Sequence, residues 1–142
     1  MKTENNAIVS VKGIQYIDGE KLETELVAEG YYKYSPEKIS VIYNEYDRDT
    51  GIKTISELTV TGGHIVLCRD GGQNTRMEFE KGVKCVGYYE LPFGSFNIST
   101  TVSSIENNLT VMGGSLYISY NLSLDRLTTT QNDITVSVRL KG

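Results

Sequence analysis

Between Ile8 and Leu140 the chain is a succession of short stretches with a two-residue hydrophobic period, closed by glycine-rich turns and almost devoid of helical period. Period two puts alternate side chains on opposite faces of a strand, so a chain made of little else must build sheet. With about ten such stretches in 142 residues, there is room for one barrel or one sandwich and little besides.

The turns set the boundaries. Ile8–Ile17 ends at Asp18-Gly19, a favoured hairpin dipeptide, and Lys21–Glu29 stops at Gly30. Tyr31–Tyr34 is broken by Ser35-Pro36, because proline cannot donate to a ladder. Ile39–Tyr46, Ile52–Val60, His64–Arg69, Thr75–Glu80, Lys84–Tyr89 and Ser95–Ser104 follow, the last running to an expected turn at Glu106-Asn107-Asn108. Leu109–Leu124, interrupted by Gly113-Gly114, and Ile134–Leu140 complete the set. That glycine pair reads as a bulge or sharp bend. Lys21–Ala28 is the stretch whose Glu and Leu content would also support a helical turn.

Alternation is cleanest near the end of the chain. Leu116, Ile118, Tyr120, Leu122 and Leu124 share one face, with Ser115, Tyr117, Ser119, Asn121 and Ser123 on the other. One apolar and one wet face is the pattern of antiparallel sheet. A flat sheet of this size would leave two long edges, and closure removes them. The expected fold is therefore all-β: a single domain over residues 1–142, an antiparallel meandering barrel of about 8–10 strands, favoured over a sandwich.

Composition narrows the function classes. The formal charge is −4 and no run of Lys or Arg exceeds one residue, which excludes the basic stripe of a nucleic-acid binder and attraction to anionic membranes. The N-terminal residues lack the apolar core of a secretory signal and no stretch approaches a membrane span, so a cytoplasmic protein is expected. The Asn97, Asn108 and Asn121 glycosylation triplets then carry no meaning. Cys68 and Cys85 fall on strands separated by a third, about 10 Å apart, beyond disulfide reach; free thiols are expected.

No constellation carries chemistry. His64 and Cys68 are four apart, but on a strand that spans ~13 Å, so they do not share an ion; no metal site is expected. GxSxG, GxGxxG and GxxxxGK[ST] are absent, leaving no catalytic residue to name and no cofactor.

The informative feature is charge on apolar parity. Glu45 continues the face of Ile39, Val41 and Tyr43, and Arg69 that of Ile65 and Leu67. Pairing Tyr46 near Ile52 and Val60 near His64 sets Glu45 and Arg69 at one height. Pairing Leu67 with Met77 puts Arg69 beside Thr75, and pairing Phe79 with Cys85 brings Tyr89 level with Thr75. One end of the barrel then carries Arg69, Glu45, Tyr89, Thr75 and Tyr43, beside the Leu91–Gly94 turn. Gly87 removes an inward side chain there and would leave space. Glu45 and Arg69 are either rim residues meeting water, or an interior anchor for a polar ligand group, since arginine's fork matches carboxylate or phosphate.

Several segments recur in a familiar order: Leu22-Glu-Thr-Glu-Leu-Val-Ala-Glu-Gly30, Tyr43-Asn-Glu45, Arg69-Asp-Gly71, Met77-Glu-Phe-Glu-Lys-Gly82, Tyr89-Glu-Leu-Pro-Phe-Gly94 and Gly113-Gly-Ser-Leu-Tyr-Ile-Ser-Tyr-Asn-Leu122. Together they resemble the YwiB-like family of uncharacterised β-barrel proteins of mainly Gram-positive bacteria, over nearly the whole chain. Leu91 stands where that family often has threonine. The resemblance implies a calycin-like barrel, the architecture of lipocalins and fatty-acid-binding proteins, and implies no activity or site residue. The inward Arg-x-Tyr of fatty-acid-binding proteins on the last strand is missing. The function expected is a non-enzymatic barrel holding a small anionic or amphipathic ligand, with Arg69 as anchor and Glu45 and Tyr89 orienting it. The alternative is a protein-interaction module or homodimer using its tyrosine-rich exterior.

Overall fold

Ten strands follow one another in chain order and the first pairs with the last, so the sheet closes on itself as an antiparallel barrel. The computed structural model describes residues 5–72, 74–124 and 128–142. The strands are β1 (Ala7–Ile17), β2 (Glu20–Tyr34), β3 (Ile39–Tyr46), β4 (Lys53–Thr61), β5 (His64–Gly71), β6 (Asn74–Glu80), β7 (Lys84–Leu91), β8 (Gly94–Thr110), β9 (Gly113–Leu124) and β10 (Thr128–Leu140). No helix among the described residues is long and apolar enough to cross a membrane.

Alternation decides what faces the lumen. Val9, Val41, Leu58, Ile65, Phe79, Leu116, Ile118, Val136 and Val138 are buried together at one end. There the Tyr32 hydroxyl donates to the Thr110 carbonyl at 2.6 Å, and the Asn6 side chain brackets the Tyr32 backbone. At the opposite end, where β1 finishes and β10 begins, the inward positions turn polar: Gln15, Thr130, Asn132 and Arg69. One end is packed and the other is built to be wet.

The joints are unequal. β1 pairs along nearly its whole length with β2 and with β10, and β9 pairs likewise with both neighbours. By contrast, β2 meets β3 only through Gly30–Tyr34 against Tyr43–Ile39. β6 meets β7 only through Asn74, Thr75 and Arg76 against Glu90, Tyr89 and Tyr88. Beyond that point the Thr100 hydroxyl of β8 donates to the Glu78 carbonyl, and Lys81 bridges Val102.

Several turn readings are corrected. Gly30 does not end a strand: the Lys21–Glu29 and Tyr31–Tyr34 stretches are one strand, and Gly30 pairs with Ala7 on one side and Tyr43 on the other. Glu106-Asn107-Asn108 is not a turn, since β8 runs through it and reverses at Val111-Met112. The Thr110 hydroxyl closes that reversal by donating to the Gly113 carbonyl and accepting from the Met112 amide. Gly113-Gly114 therefore opens β9, and the bulge lies at Val102/Ser104 of β8. β10 begins at Thr128, six residues before the expected Ile134, because its first inward positions are polar.

Gly30 has a second role that sets a test. A Cβ there would lie 2.4 Å from the Ile42 carbonyl oxygen and 2.8 Å from a Val9 methyl. The strand crossing depends on backbone approaching backbone, which a side chain would wedge apart. Gly30→Ala is expected to destabilise the barrel by about 2 kcal/mol, seen as a lower denaturant midpoint. An unchanged midpoint would show that the crossing can relax.

Candidate functional site

Register brings the polar residues onto one rung. Gly30, Tyr43, Ser56, Arg69, Thr75, Tyr89 and Phe96 are successive partners across β2 to β8. The Leu67–Met77, Arg69–Thr75 and Thr75–Tyr89 pairings are as read from parity. Glu45 is not level with Arg69. It pairs with Thr54, which pairs with Gly71, because Tyr46 meets Lys53 and not Ile52. Glu45 thus lies two residues nearer the mouth, and its side chain reaches back.

Arg69, Thr75 and Tyr89 line one cavity of about 560 Å³, within the size range of small-molecule sites. Its walls are apolar: Leu67 and Met77 on one side, Phe96, Ile98, Leu122, Leu124 and Ile134 on the other, with Ile17 and Leu91 at the rim. Glu45 lines a neighbouring depression of about 320 Å³ that shares Arg69 with the cavity. Tyr43 lies behind the arginine and is fully buried. Gly87 leaves no space: a Cβ there would stand 2.0 Å from the Arg76 carbonyl oxygen, so the glycine serves the close approach of β7 to β6.

The polar groups are under-satisfied. Arg69 Nε is buried without a hydrogen-bond partner, and its nearest carboxylate, Glu45 Oε2, is 3.8 Å away. That is well beyond the 2.7–2.9 Å of a charge-assisted bond. Glu45 Oε2 instead accepts from the Ser56 hydroxyl at 3.0 Å. Directly opposite Arg69, Thr75 is 4% exposed and its hydroxyl also lacks a partner. Side chains so paired on adjacent strands start only ~5 Å apart at Cβ. Two buried polar groups without partners therefore stand on adjacent strands in the cavity wall, where unmet polar groups are costly.

The far wall is not legible in the sequence. Tyr120, Gln15 and Thr130 face the same cavity from β9, β1 and β10. Tyr120 was readable as inward from alternation on β9, but no hairpin register connects it to Arg69. Burial pushes the Tyr120 hydroxyl up to about 12, with Arg69 pulling it down and Asp133 pushing it up. Burial also raises Tyr43, again opposed by Arg69. A phenol raised above its ordinary value of 10 contributes stability that is complete below pH 10 and is lost as pH climbs towards 12. In an alkaline titration of the folded protein, a late class of tyrosinate is expected, ionising together with unfolding. Ionisation of every tyrosine near pH 10 with the fold intact would contradict this.

His64 and Cys68, alternating with the buried Ile65 and Leu67, sit on the outer wall. His64 places Nε2 at 2.9 Å from Glu78 and Nδ1 at 3.1 Å from Glu80, facing away from the cavity. Cys68 and Cys85 are free, half-buried thiols, and Arg76 Nη1 approaches Cys68 Sγ at 3.5 Å.

Residues 9–136 match the sequence profile of the family described as "Domain of unknown function (DUF1934)". The chain is 28% identical over 123 residues to "Uncharacterized beta-barrel protein YwiB" of Bacillus subtilis (strain 168), covering 86% of this chain and 84% of that one. The crystal structure of the ywiB protein from Bacillus subtilis superposes with a TM-score of 0.85 over 100% of this chain and 96% of that one, at 23% identity. That likeness is one of fold.

Proposed function

The chain belongs to the DUF1934 family of domains of unknown function, and from the cavity itself we propose that it is a non-catalytic, cytosolic binder of a small amphipathic molecule. The apolar part of the ligand lies along Leu67, Met77, Ile98 and Leu122, and its polar end meets Arg69 and Thr75. A single observation carries the reading: two buried donors, Arg69 Nε and the Thr75 hydroxyl, stand partnerless on adjacent strands in the wall of a largely apolar cavity of about 560 Å³. A buried donor without a partner is a cost to the fold, and an oxygen of a ligand reaching the pair from the cavity would relieve it. Tyr89 and Tyr120 orient the ligand from the sides, and Glu45 acts on it through Arg69.

Native mass spectrometry of protein purified from its own host tests this. The expected spectrum carries a stoichiometric small-molecule adduct, one per chain, that organic extraction removes. A bare chain mass, together with no uptake of a neutral solvatochromic dye such as Nile red, would overturn the proposal. The same spectrum reports the subunit count, and a dimer without adduct would favour an assembly module instead.

A further inference from the structure

Resting on that reading, we infer that the polar end of the ligand is an uncharged oxygen (hydroxyl, ester, ketone or amide) and that Glu45 excludes the anionic ones. The expectation that arginine marks an anion site holds only where the arginine's charge is unclaimed. Among the described residues lining the cavity, Arg69 is the one cation. Glu45 is 3.8 Å from its Nε, yet it is held by the Ser56 hydroxyl, a residue with no exposed surface. Glu45 therefore neutralises the guanidinium without occupying its donor.

Asp133 borders a smaller depression of about 200 Å³ with Arg69 and Tyr120, but it pairs with Ser119 and alternates with the inward Asn132 and Ile134, so its carboxylate belongs to the outer face. One positive charge in the cavity wall thus already faces one negative charge. A carboxylate, phosphate or sulfate entering would shed its hydration in an apolar cavity and add a second negative charge. A neutral oxygen has two lone pairs, one for Arg69 Nε–H and one for the Thr75 hydroxyl, and brings no charge to bury. The site is a charge-assisted donor pair with its countercharge already built in.

A matched-tail competition tests the inference. Nile red bound to the wild-type protein is displaced by decane, decanol, methyl decanoate and decanoate, each below its aggregation limit. Decanol and the ester are expected to compete at concentrations about tenfold lower than decanoate and than decane. In Glu45→Gln, which keeps an acceptor for Ser56, decanoate is expected to gain several-fold and the gap to narrow. Decanoate matching or beating decanol on the wild type would overturn the inference while leaving the binding function standing. Decane competing as well as decanol would deny recognition of the polar end, and an unchanged gap in Glu45→Gln would remove Glu45 as its cause. Failure of the whole series and of the dye itself would strike at the proposed function instead.

Discussion

Replacing Phe79 with alanine is expected to lower the unfolding free energy by about 4 kcal/mol, measured by urea denaturation. Phe79 is 1% exposed and pairs with Ile65 across β5 and β6 in the packed end of the barrel. Its ring also meets that of Tyr120 edge to face, with centroids 4.8 Å apart and planes at 65°. Truncation removes the transfer free energy of a phenyl ring, the aromatic contact and the packing around both. Because closed strands restrain one another, the walls cannot collapse into the void. Domains of this size have only about 5–15 kcal/mol in total, so the variant should sit near the edge of folding. A loss below about 1 kcal/mol would show that the closed end repacks freely, contrary to the density expected of such cores. Phe79 stands behind Tyr120, so dye uptake should fall in the same variant even at temperatures where it stays folded.

Arg69→Met is expected to separate binding from stability. Methionine keeps the length and apolar stem of arginine, and removes both the buried partnerless Nε–H and the charge. The Glu45–Arg69 pair is loose, and its side chains are 28% and 31% exposed, so its loss should cost under ~1 kcal/mol. Relief of the orphaned donor offsets part of that. Binding should respond far more. A hydrogen bond from a charged donor contributes about 1.5–3 kcal/mol, so affinity for decanol should fall about 10- to 100-fold while that for decane is retained. The two readouts are a dye-competition series and a thermal melt on the same sample. A melt that collapses alongside binding would recast Arg69 as a structural residue.

Much of the fold was legible because period two and glycine turns are local signals. The Leu67–Met77 and Arg69–Thr75 pairings followed from parity across a single tight turn, and the structure has them in that register. Legibility failed where side chains do what backbone normally does. Asn107 accepts from the Leu109 amide inside a continuous strand, so a polar triplet that resembles a turn is absorbed into β8. The bulge at Val102/Ser104 resets inward parity just before it, which hides the continuation. Gly30 and Gly87 were read as a stop and a void, yet both are points where carbonyls of neighbouring strands crowd in. The site was half visible for the same reason. Register propagates through consecutive hairpins and so assembles Arg69, Thr75 and Tyr89, with Glu45 set level where Tyr43 stands, whereas Tyr120 and Thr130 face them across the lumen. No rule local to the sequence spans that gap.

The two short joints, β2–β3 and β6–β7, give the barrel a mechanical character that a uniform tube would lack. They divide the ring into two curved plates, β3–β6 and β7–β10 with β1 and β2, each laced along long ladders and fastened to the other at two clasps. Thermal breathing is expected to concentrate at the clasps, so that in a hydrogen-exchange experiment the backbone amides of Gly30–Tyr34 and Asn74–Arg76 exchange with solvent ahead of those in the plates. Arg69 and Thr75 ride on one plate, while Tyr120, Gln15 and Thr130 ride on the other. On the proposed function, a guest held between them would work as a rivet, slowing exchange at clasps it never touches.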